Sequence, residues 1–298
     1  MDKQGAARGV AVDSATLLYG VFGDPVRHSK SPIMLGRAFA ETGKNAAYVA
    51  FHVKPEALGD AVRGVRALGI CGVNVTIPHK VEVMKHLDDI DETARSIGAV
   101  NTIVNRDGRL IGYNTDGIGY VRSLKEETGA AVAGARILML GAGGASRGVG
   151  YALAKEAPAK LYVANRTAAK AEELANDLAA ATDAVGIGWD RIDHIIGEVD
   201  IIINTTPIGM HPNADDVPID VSGVRKGAVV SDLIYNPLTT KLLREAEAAG
   251  AVVHGGLGMF VYQGAYAFEY WTGEPAPVAA MREAVLEAFG AGSEAAKA

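Results

Sequence analysis

The chain has a single cysteine among its 298 residues, Cys71, so no intramolecular disulfide can form and one chain cannot build a site of several thiolates. A reducing, cytoplasmic setting is expected. Seven histidines are scattered without a His-Glu-x-x-His pattern, and no aspartate group has calcium-loop spacing, so no metal is assigned. No run approaches the roughly 18 apolar residues of a membrane span. Met1 to Thr16 lacks the apolar core of a signal peptide and reads as a loose extension. Basic residues do not dominate either: 29 Lys and Arg against 35 Asp and Glu give a formal charge of -6 and no electrostatic footprint for nucleic acid.

What is present is a globular composition, 49% hydrophobic and 21% charged, with length enough for about two domains of roughly 150 residues. Short β-rich runs alternate with helical ones, the signature of βαβ units and largely parallel sheets. The first series predicts strands at Leu17–Gly23, Ala47–Val53 and Gly72–Ile77, and helices near Pro32–Thr42 and Pro55–Leu68, with Ser31 as an N-cap. Asn101–Val104 and Leu110–Tyr113 flank a hairpin turn at Arg106-Asp107-Gly108. A second series begins after Thr115 and runs to a short strand at Ala251–Val253. Two helices, near Met259–Trp271 and Pro277–Phe289, are expected to pack back on the first domain.

Three motifs carry chemistry. In Asn74-Val75-Thr76-Ile77-Pro78-His79-Lys80, polar groups and a lysine follow an apolar strand, where ligands bind in open α/β sheets. Lys80 is either a solvated surface lysine or a catalyst. Hydride transfer to a ketone builds negative charge on oxygen, which an ammonium can stabilise and protonate. In Asn114-Thr115-Asp116-Gly117, Asp116 reads as a helix N-cap, as a carboxylate orienting Lys80 and a substrate hydroxyl, or as both. Gly141-Ala142-Gly143-Gly144-Ala145 follows a strand and opens a helix, so free amides and the helix dipole can face a pyrophosphate. Ser146 stands where the third motif glycine is usual, and a plain tight βα connection is the alternative reading. About 20 residues on, where NAD sites place an acid, stand Asn165-Arg166-Thr167. An arginine there favours a 2′-phosphate instead. Ser29-Lys30-Ser31-Pro32 adds hydroxyls suited to a polyol or carboxylate. His79 reads as a loop residue, and Cys71 as a small apolar one.

These residues converge on one family. From Tyr19 to the final helices the chain resembles the shikimate dehydrogenases. The resemblance is carried by Ser29 to Pro32, Asn74 to Lys80, Gly98-Ala99-Val100-Asn101-Thr102, Asn114 to Gly117, Gly141 to Ala145, Asn165 to Thr167, Asn204-Thr205-Thr206-Pro207-Ile208-Gly209-Met210 and Gly256-Leu257-Gly258-Met259-Phe260-Val261-Tyr262-Gln263. It implies a two-domain α/β fold and NADPH-dependent reduction of 3-dehydroshikimate to shikimate, a step of aromatic amino-acid biosynthesis. It further implies a substrate and catalytic domain over 1–116, with 1–16 as the extension, a Rossmann-like NADP domain over 117–256, and C-terminal helices over 257–298 that return to the first. Lys80 and Asp116 match the catalytic pair. Ser29, Ser31, Thr76, Asn101, Tyr235 and Gln263 match residues that contact the substrate. Glu92, Leu233 and Gly256 match residues bordering the cofactor, beside Gly141, Ala142, Gly143, Gly144, Ala145, Asn165, Arg166, Thr167 and Lys170 at its phosphates.

Three departures stand out: Leu35-Gly36 where the family often has His-Asn, Lys170 where its Asn-Arg-Thr-x-x-Arg pattern ends in arginine, and the extension, which has no assigned counterpart. A quinate/shikimate dehydrogenase is the nearest rival, differing in the ligand's extra hydroxyl and the preferred cofactor; Arg166 argues for NADP. A glutamyl-tRNA reductase would need a well-placed cysteine nucleophile and a long dimerisation helix. A non-catalytic dinucleotide sensor is the alternative of another class, against which Lys80 and Asp116 both count. The expected partner is a small-molecule substrate, with no nucleic acid and no membrane, and a homodimer is left open.

Overall fold

Runs such as Leu17-Leu18-Tyr19-Gly20-Val21-Phe22 and Ile201-Ile202-Ile203 are too short for helices and too apolar for one solvated face, so they form strands covered on both sides. The computed structural model describes residues 12–290. They divide into two compact units: residues up to Tyr113 together with those from Ala267 onward, and Asn114–Tyr266. The sequence reading places the divisions at 116 and 256.

In chain order the first unit runs β1 (Leu17–Gly23), α1 (Ser31–Glu41), β2 (Ala46–His52), α2 (Leu58–Ala67), β3 (Gly72–Val75), β4 (Asp89–Ile90), α3 (Glu92–Ile97), β5 (Thr102–Arg106) and β6 (Arg109–Tyr113). The sheet order is β2-β1-β3-β5-β6-β4. β1 is parallel to β2 and β3, whereas β5 runs antiparallel to β3 with Asn74 opposite Thr102. That reversal makes β5 begin at the edge where β3 ends.

The second unit runs α4 (Asp116–Thr128), β7 (Arg136–Leu140), α5 (Gly144–Ala154), β8 (Lys160–Asn165), α6 (Ala168–Leu178), β9 (Ala184–Gly188), β10 (Ile201–Asn204), β11 (Val229–Asp232), α7 (Lys241–Ala248) and β12 (Val252–His254). Its sheet, ordered β12-β11-β10-β7-β8-β9, is parallel throughout. α8 (Gly256–Thr272) begins in this unit and ends in the first, where α9 (Val278–Ala288) also lies.

The end of α8 and all of α9 serve the first unit's core. Phe39 of α1 stacks on Tyr19 at 4.8 Å between centroids and meets Phe268 at 5.4 Å. Arg37 pairs with Glu283 of α9 at 3.0 Å. Trp271 lies against Tyr19 and donates its indole N–H to the Ile103 carbonyl at 2.9 Å, so a bulky ring is buried with its one donor satisfied. Among the described residues no helix is long and apolar enough to cross a membrane.

Several local expectations change. β4, α3 and β9 are additional elements. Ser31 is the first helical residue of α1 and not its cap; Lys30 holds the cap position, and the Ser29 hydroxyl accepts from the Ser31 N–H at 3.2 Å. Residues 1–11 of the expected extension lie outside the described residues. Asp13 and Thr16 are tied to Asn45 through hydrogen bonds of 2.8 Å each.

Gly72 is required by close approach, since a Cβ there would collide with the Trp271 indole. Gly72→Ala is expected to cost about 1–3 kcal/mol of stability, the usual range for overpacking. Urea denaturation checks this; an unchanged midpoint would mean that the indole yields without loss.

Candidate active site

In an open α/β sheet the chain leaves each parallel strand at the same edge, and polar loops collect there. In the first unit this edge carries Ser29, Ser31, Thr76 and Asn101 of the expected substrate residues, whereas Tyr235 and Gln263 lie in the second. Thr76 follows β3, its N–H held by the Phe22 carbonyl at 2.9 Å, and its own carbonyl accepts from the His79 N–H at 2.9 Å. The turn so formed brings the chain to Lys80, which is half-buried. The Lys80 carbonyl accepts from the Val100 N–H at 2.8 Å, and the Asn101 carbonyl accepts from the Val75 N–H at 2.8 Å, so Thr76, Lys80 and Asn101 share one backbone-braced corner. His79 is buried and its Nε2 pairs with the Val53 carbonyl at 2.7 Å, which makes it a structural residue of that turn. Ser31 is buried and Ser29 half-buried at the start of α1. Glu92 is exposed on the first turn of α3, where Asp91 caps the helix by accepting from the Thr93 N–H at 2.9 Å.

The second unit carries the rest. Asp116 opens α4 and does not cap it; the Asn114 side chain accepts from the Asp116 N–H at 3.1 Å. The Thr115 hydroxyl donates to the Gln263 carbonyl at 3.0 Å, tying α4 to α8. Gln263 itself donates to the Phe260 carbonyl at 2.8 Å, and Phe260 stacks on Tyr235 at 4.9 Å, so α8 meets both the start of α4 and the loop that carries Tyr235. Gly256 lets α8 start hard against the Leu233 carbonyl, with which a Cβ would collide.

The glycine-rich turn is built for close approach. Gly141 has φ 111°, and a Cβ on it would crowd the Thr205 hydroxyl at 2.7 Å. Gly143, Gly144 and Ala145 are exposed at the start of α5, with nothing within 4 Å of a Cβ placed on either glycine. Amides at such a helix start can accept a pyrophosphate. Ser146, in place of the third glycine, is buried: its hydroxyl accepts from the Gly143 N–H at 3.0 Å and meets the Thr205 hydroxyl at 2.6 Å. It closes the turn by hydrogen bonding where a glycine would do so by close packing.

The neighbouring cations differ in their commitments. Arg147 on α5 is neutralised by Glu173 and Asp177 of α6, at 2.8 and 2.7 Å. The side chains of Arg166 and Lys170, beyond the end of β8, are exposed and make no ion pair or hydrogen bond among the described residues. Asn165 shapes their loop by donating to the Thr167 carbonyl at 3.0 Å. The residues present therefore fit a dinucleotide with a phosphate beyond its pyrophosphate.

One further site element was not evident in the sequence. Asp232, fully buried at the end of β11, accepts from Asn204 at 3.1 Å, from the Ile234 N–H at 3.1 Å and from the Thr240 hydroxyl at 2.8 Å. Asn204 in turn accepts from the Thr206 N–H at 3.0 Å and donates to the Ile208 carbonyl at 3.2 Å. The pair ties the loop after β10 to the loop holding Leu233 and Tyr235. Only the proximity of two polar residues at the ends of apolar strands hinted at it.

Burial pushes the Asp232 carboxyl up to about 6, the donors from Ile234, Thr240 and Asn204 opposing that shift. The fold thus holds this proton more tightly than the unfolded chain does. The group's stabilising contribution is fully present below its ordinary value of 3.8 and is lost as pH rises through about 6. A rise of that size corresponds to about 3 kcal/mol. Measured as thermal midpoints from about pH 4 to about pH 7, the wild type should lose stability relative to Asp232→Asn as pH rises. A constant difference between the two would show that Asp232 does not titrate in this range.

Comparison with known proteins agrees with this geometry. A family model described as the shikimate dehydrogenase substrate binding domain matches residues 21–103, one described as shikimate / quinate 5-dehydrogenase matches 123–210, and one described as the shikimate 5'-dehydrogenase C-terminal domain matches 256–286. A shikimate dehydrogenase (NADP(+)) of Geobacillus sp. is 52% identical over 270 residues, 91% of this chain and 98% of that protein. The shikimate 5-dehydrogenase of Thermus thermophilus, solved with NADP(H) and shikimate, superposes with a TM-score of 0.84 at 36% identity, covering 92% of this chain and 100% of that one. The quinate dehydrogenase of Corynebacterium glutamicum, solved with NAD, gives 0.85 at 32% identity, covering 91% and 99%. With half its residues shared over nearly the whole length of a curated relative, the chain belongs to the shikimate dehydrogenase family.

Proposed function

We propose that this protein is an NADP-dependent shikimate dehydrogenase, reducing 3-dehydroshikimate to shikimate on the way to chorismate and the aromatic amino acids. The observation that carries the reading is Lys80, standing with Thr76 and Asn101 at the ligand edge of a sheet matched by the family's substrate-binding model. The cofactor, when bound, supplies the hydride. Ser29, Ser31, Thr76, Asn101, Tyr235 and Gln263 are proposed to hold the ring's carboxylate and hydroxyls. Lys80 and Asp116 are proposed to carry the proton chemistry, Lys80 delivering the proton to the nascent alkoxide. Gly141 to Ala145 would hold the pyrophosphate, and Asn165, Arg166, Thr167 and Lys170 the 2′-phosphate, with Glu92, Leu233 and Gly256 bordering the cofactor. The domain functions follow the same lines, substrate over 1–116 and NADP over 117–256, with 257–298 completing the first. A cytoplasmic location suits a chain with one cysteine. A homodimer is one outcome that sedimentation would distinguish from a monomer.

Oxidation of shikimate and of quinate, each with NADP and with NAD, tests the assignment. Shikimate with NADP should have the highest kcat/KM. Quinate with NAD in first place would make the protein a quinate dehydrogenase. Lys80→Ala should lower kcat by roughly 10²-fold to 10⁴-fold with much less change in shikimate KM, as for a lost proton donor. Near-normal turnover would return Lys80 to the role of a surface lysine. Arg166→Ala should raise the KM for NADP and leave kinetics with NAD nearly unchanged, because the guanidinium is proposed to meet only the 2′-phosphate. Equal loss with both cofactors would make Arg166 structural.

A further inference from the structure

Gly141 to Ala145 are proposed to hold the pyrophosphate, yet a turn rich in glycine is pliant, and amides that meet an anion have to be aimed at it. A directed chain of hydrogen bonds sets this turn. The Thr205 hydroxyl lies 2.6 Å from the Leu140 carbonyl, an acceptor with no proton to give, so Thr205 is the donor there. A hydroxyl has one proton. In the 2.6 Å contact between Ser146 Oγ and Thr205 Oγ1 the donor is therefore Ser146, whose oxygen in turn accepts from the Gly143 N–H at 3.0 Å. The protons all point one way, from Gly143 through Ser146 and Thr205 to Leu140.

An anion offers only acceptors, and Ser146, fully buried, has its single proton engaged by Thr205, so it is not a phosphate ligand. The Gly143 N–H is engaged as well. The amides left to face a phosphate are those of Gly144 and Ala145, exposed first residues of α5 with no carbonyl one turn earlier in the helix to meet. The chain also spans a junction. From β7 the sheet grows through β8 to β9 on one side, and from β10 through β11 to β12 on the other, so winding reverses between β7 and β10, where open α/β sheets bind ligands. Thr205 follows β10 and the turn follows β7. Thr205 is held across this point twice, its N–H also donating to the Leu140 carbonyl at 3.0 Å. Gly141 leaves the room that the two hydroxyls occupy, since a Cβ there would stand 2.7 Å from Thr205 Oγ1 and 3.2 Å from Ser146 Oγ.

We propose that Thr205 is a positioning residue for the cofactor's pyrophosphate: through Ser146 it fixes Gly143, and with it the direction in which the Gly144 and Ala145 amides face. The inference rests on the reading of Gly141 to Ala145 as the pyrophosphate site. NADP and NAD share the pyrophosphate, so Thr205 serves both alike, whereas Arg166 is proposed to serve only NADP. Thr205→Val keeps the shape but leaves the buried Ser146 hydroxyl without its acceptor. Thr205→Ser retains the chain. Ser146→Ala breaks the chain and orphans no buried hydroxyl, because Gly143 is exposed and water can take its N–H.

Equilibrium titration with NADPH and with NADH, followed by nucleotide fluorescence beside thermal midpoints and steady-state kinetics, tests the idea. Thr205→Val should raise the Kd for both nucleotides by the same factor, roughly 10-fold, as expected when a buried polar group loses its partner. Its kcat and shikimate KM should stay close to wild type, and Thr205→Ser should restore both nucleotide affinities. Ser146→Ala should raise both Kd values about 3-fold, and the double variant should bind no more weakly than Thr205→Val, since the orphaned hydroxyl is then gone. A folded Thr205→Val protein with unchanged Kd values overturns the proposal, as does a loss confined to NADPH, a serine variant that fails to rescue, or single losses that multiply in the double variant. If Thr205→Val does not fold, Ser146→Ala decides: a parallel rise for both nucleotides supports the relay, and no rise overturns it. A wild type that binds neither nucleotide removes the reading of the turn itself and this proposal with it, an outcome distinct from a wild type that binds both and variants that bind equally well.

Discussion

Everything at the two ligand edges depends on one constraint: parallel strands end together, and the loops that leave them must satisfy their own polar groups. In the second unit the turns after β7, β8, β10 and β11 all emerge on the same side of a fully parallel sheet. In the first unit the antiparallel β5 adds the start of a strand to an edge otherwise made of strand ends. Asn101 and Thr102 therefore sit beside Asn74 and Thr76, although distant from them in sequence. Among the described residues no buried side-chain nitrogen or oxygen lacks a hydrogen-bond partner. Polar residues at these edges are consequently fixed in direction as well as in place, which is what recognition of a polyhydroxylated ring requires.

The same constraint accounts for the cofactor side. Gly141 permits a backbone that other residues would strain, and Ser146 locks the turn through Gly143 and Thr205. Charge then discriminates between otherwise similar cations. Arg147 lies near the turn but is committed to two carboxylates, while Arg166 and Lys170 have no such commitment among the described residues. An exposed arginine in place of the acid that would accept from a ribose hydroxyl suits a 2′-phosphate.

The alternation of strands and helices was legible in the sequence because each core strand is a short apolar run bounded by turn residues. β9 escaped notice because Ala184-Val185-Gly186-Ile187-Gly188 is an edge strand with two glycines, half-buried along its length. α3 is only six residues long, too short for a helical period to register, and it ends at Gly98 in the left-handed region. A capping residue and a first-turn residue look alike one position apart, which is why Ser31 reads as a cap and Asp116 as a possible one although Lys30 and Thr115 hold those positions. At the site, loop motifs such as Gly141 to Ala145 could be read locally. Asp232 could not, since its main partner Asn204 stands on another strand, and a polar residue in an apolar strand does not announce its partner.

The central claim is that the polar corner around Lys80, and the turn and cations on the second unit, belong to one reductase acting on 3-dehydroshikimate with NADPH. Its most direct test is the forward reaction with product identification: NADPH consumption followed optically while shikimate is quantified by chromatography. Equal amounts of NADPH consumed and shikimate formed would be the result predicted. Absence of shikimate, with intact protein and cofactor present, would contradict it.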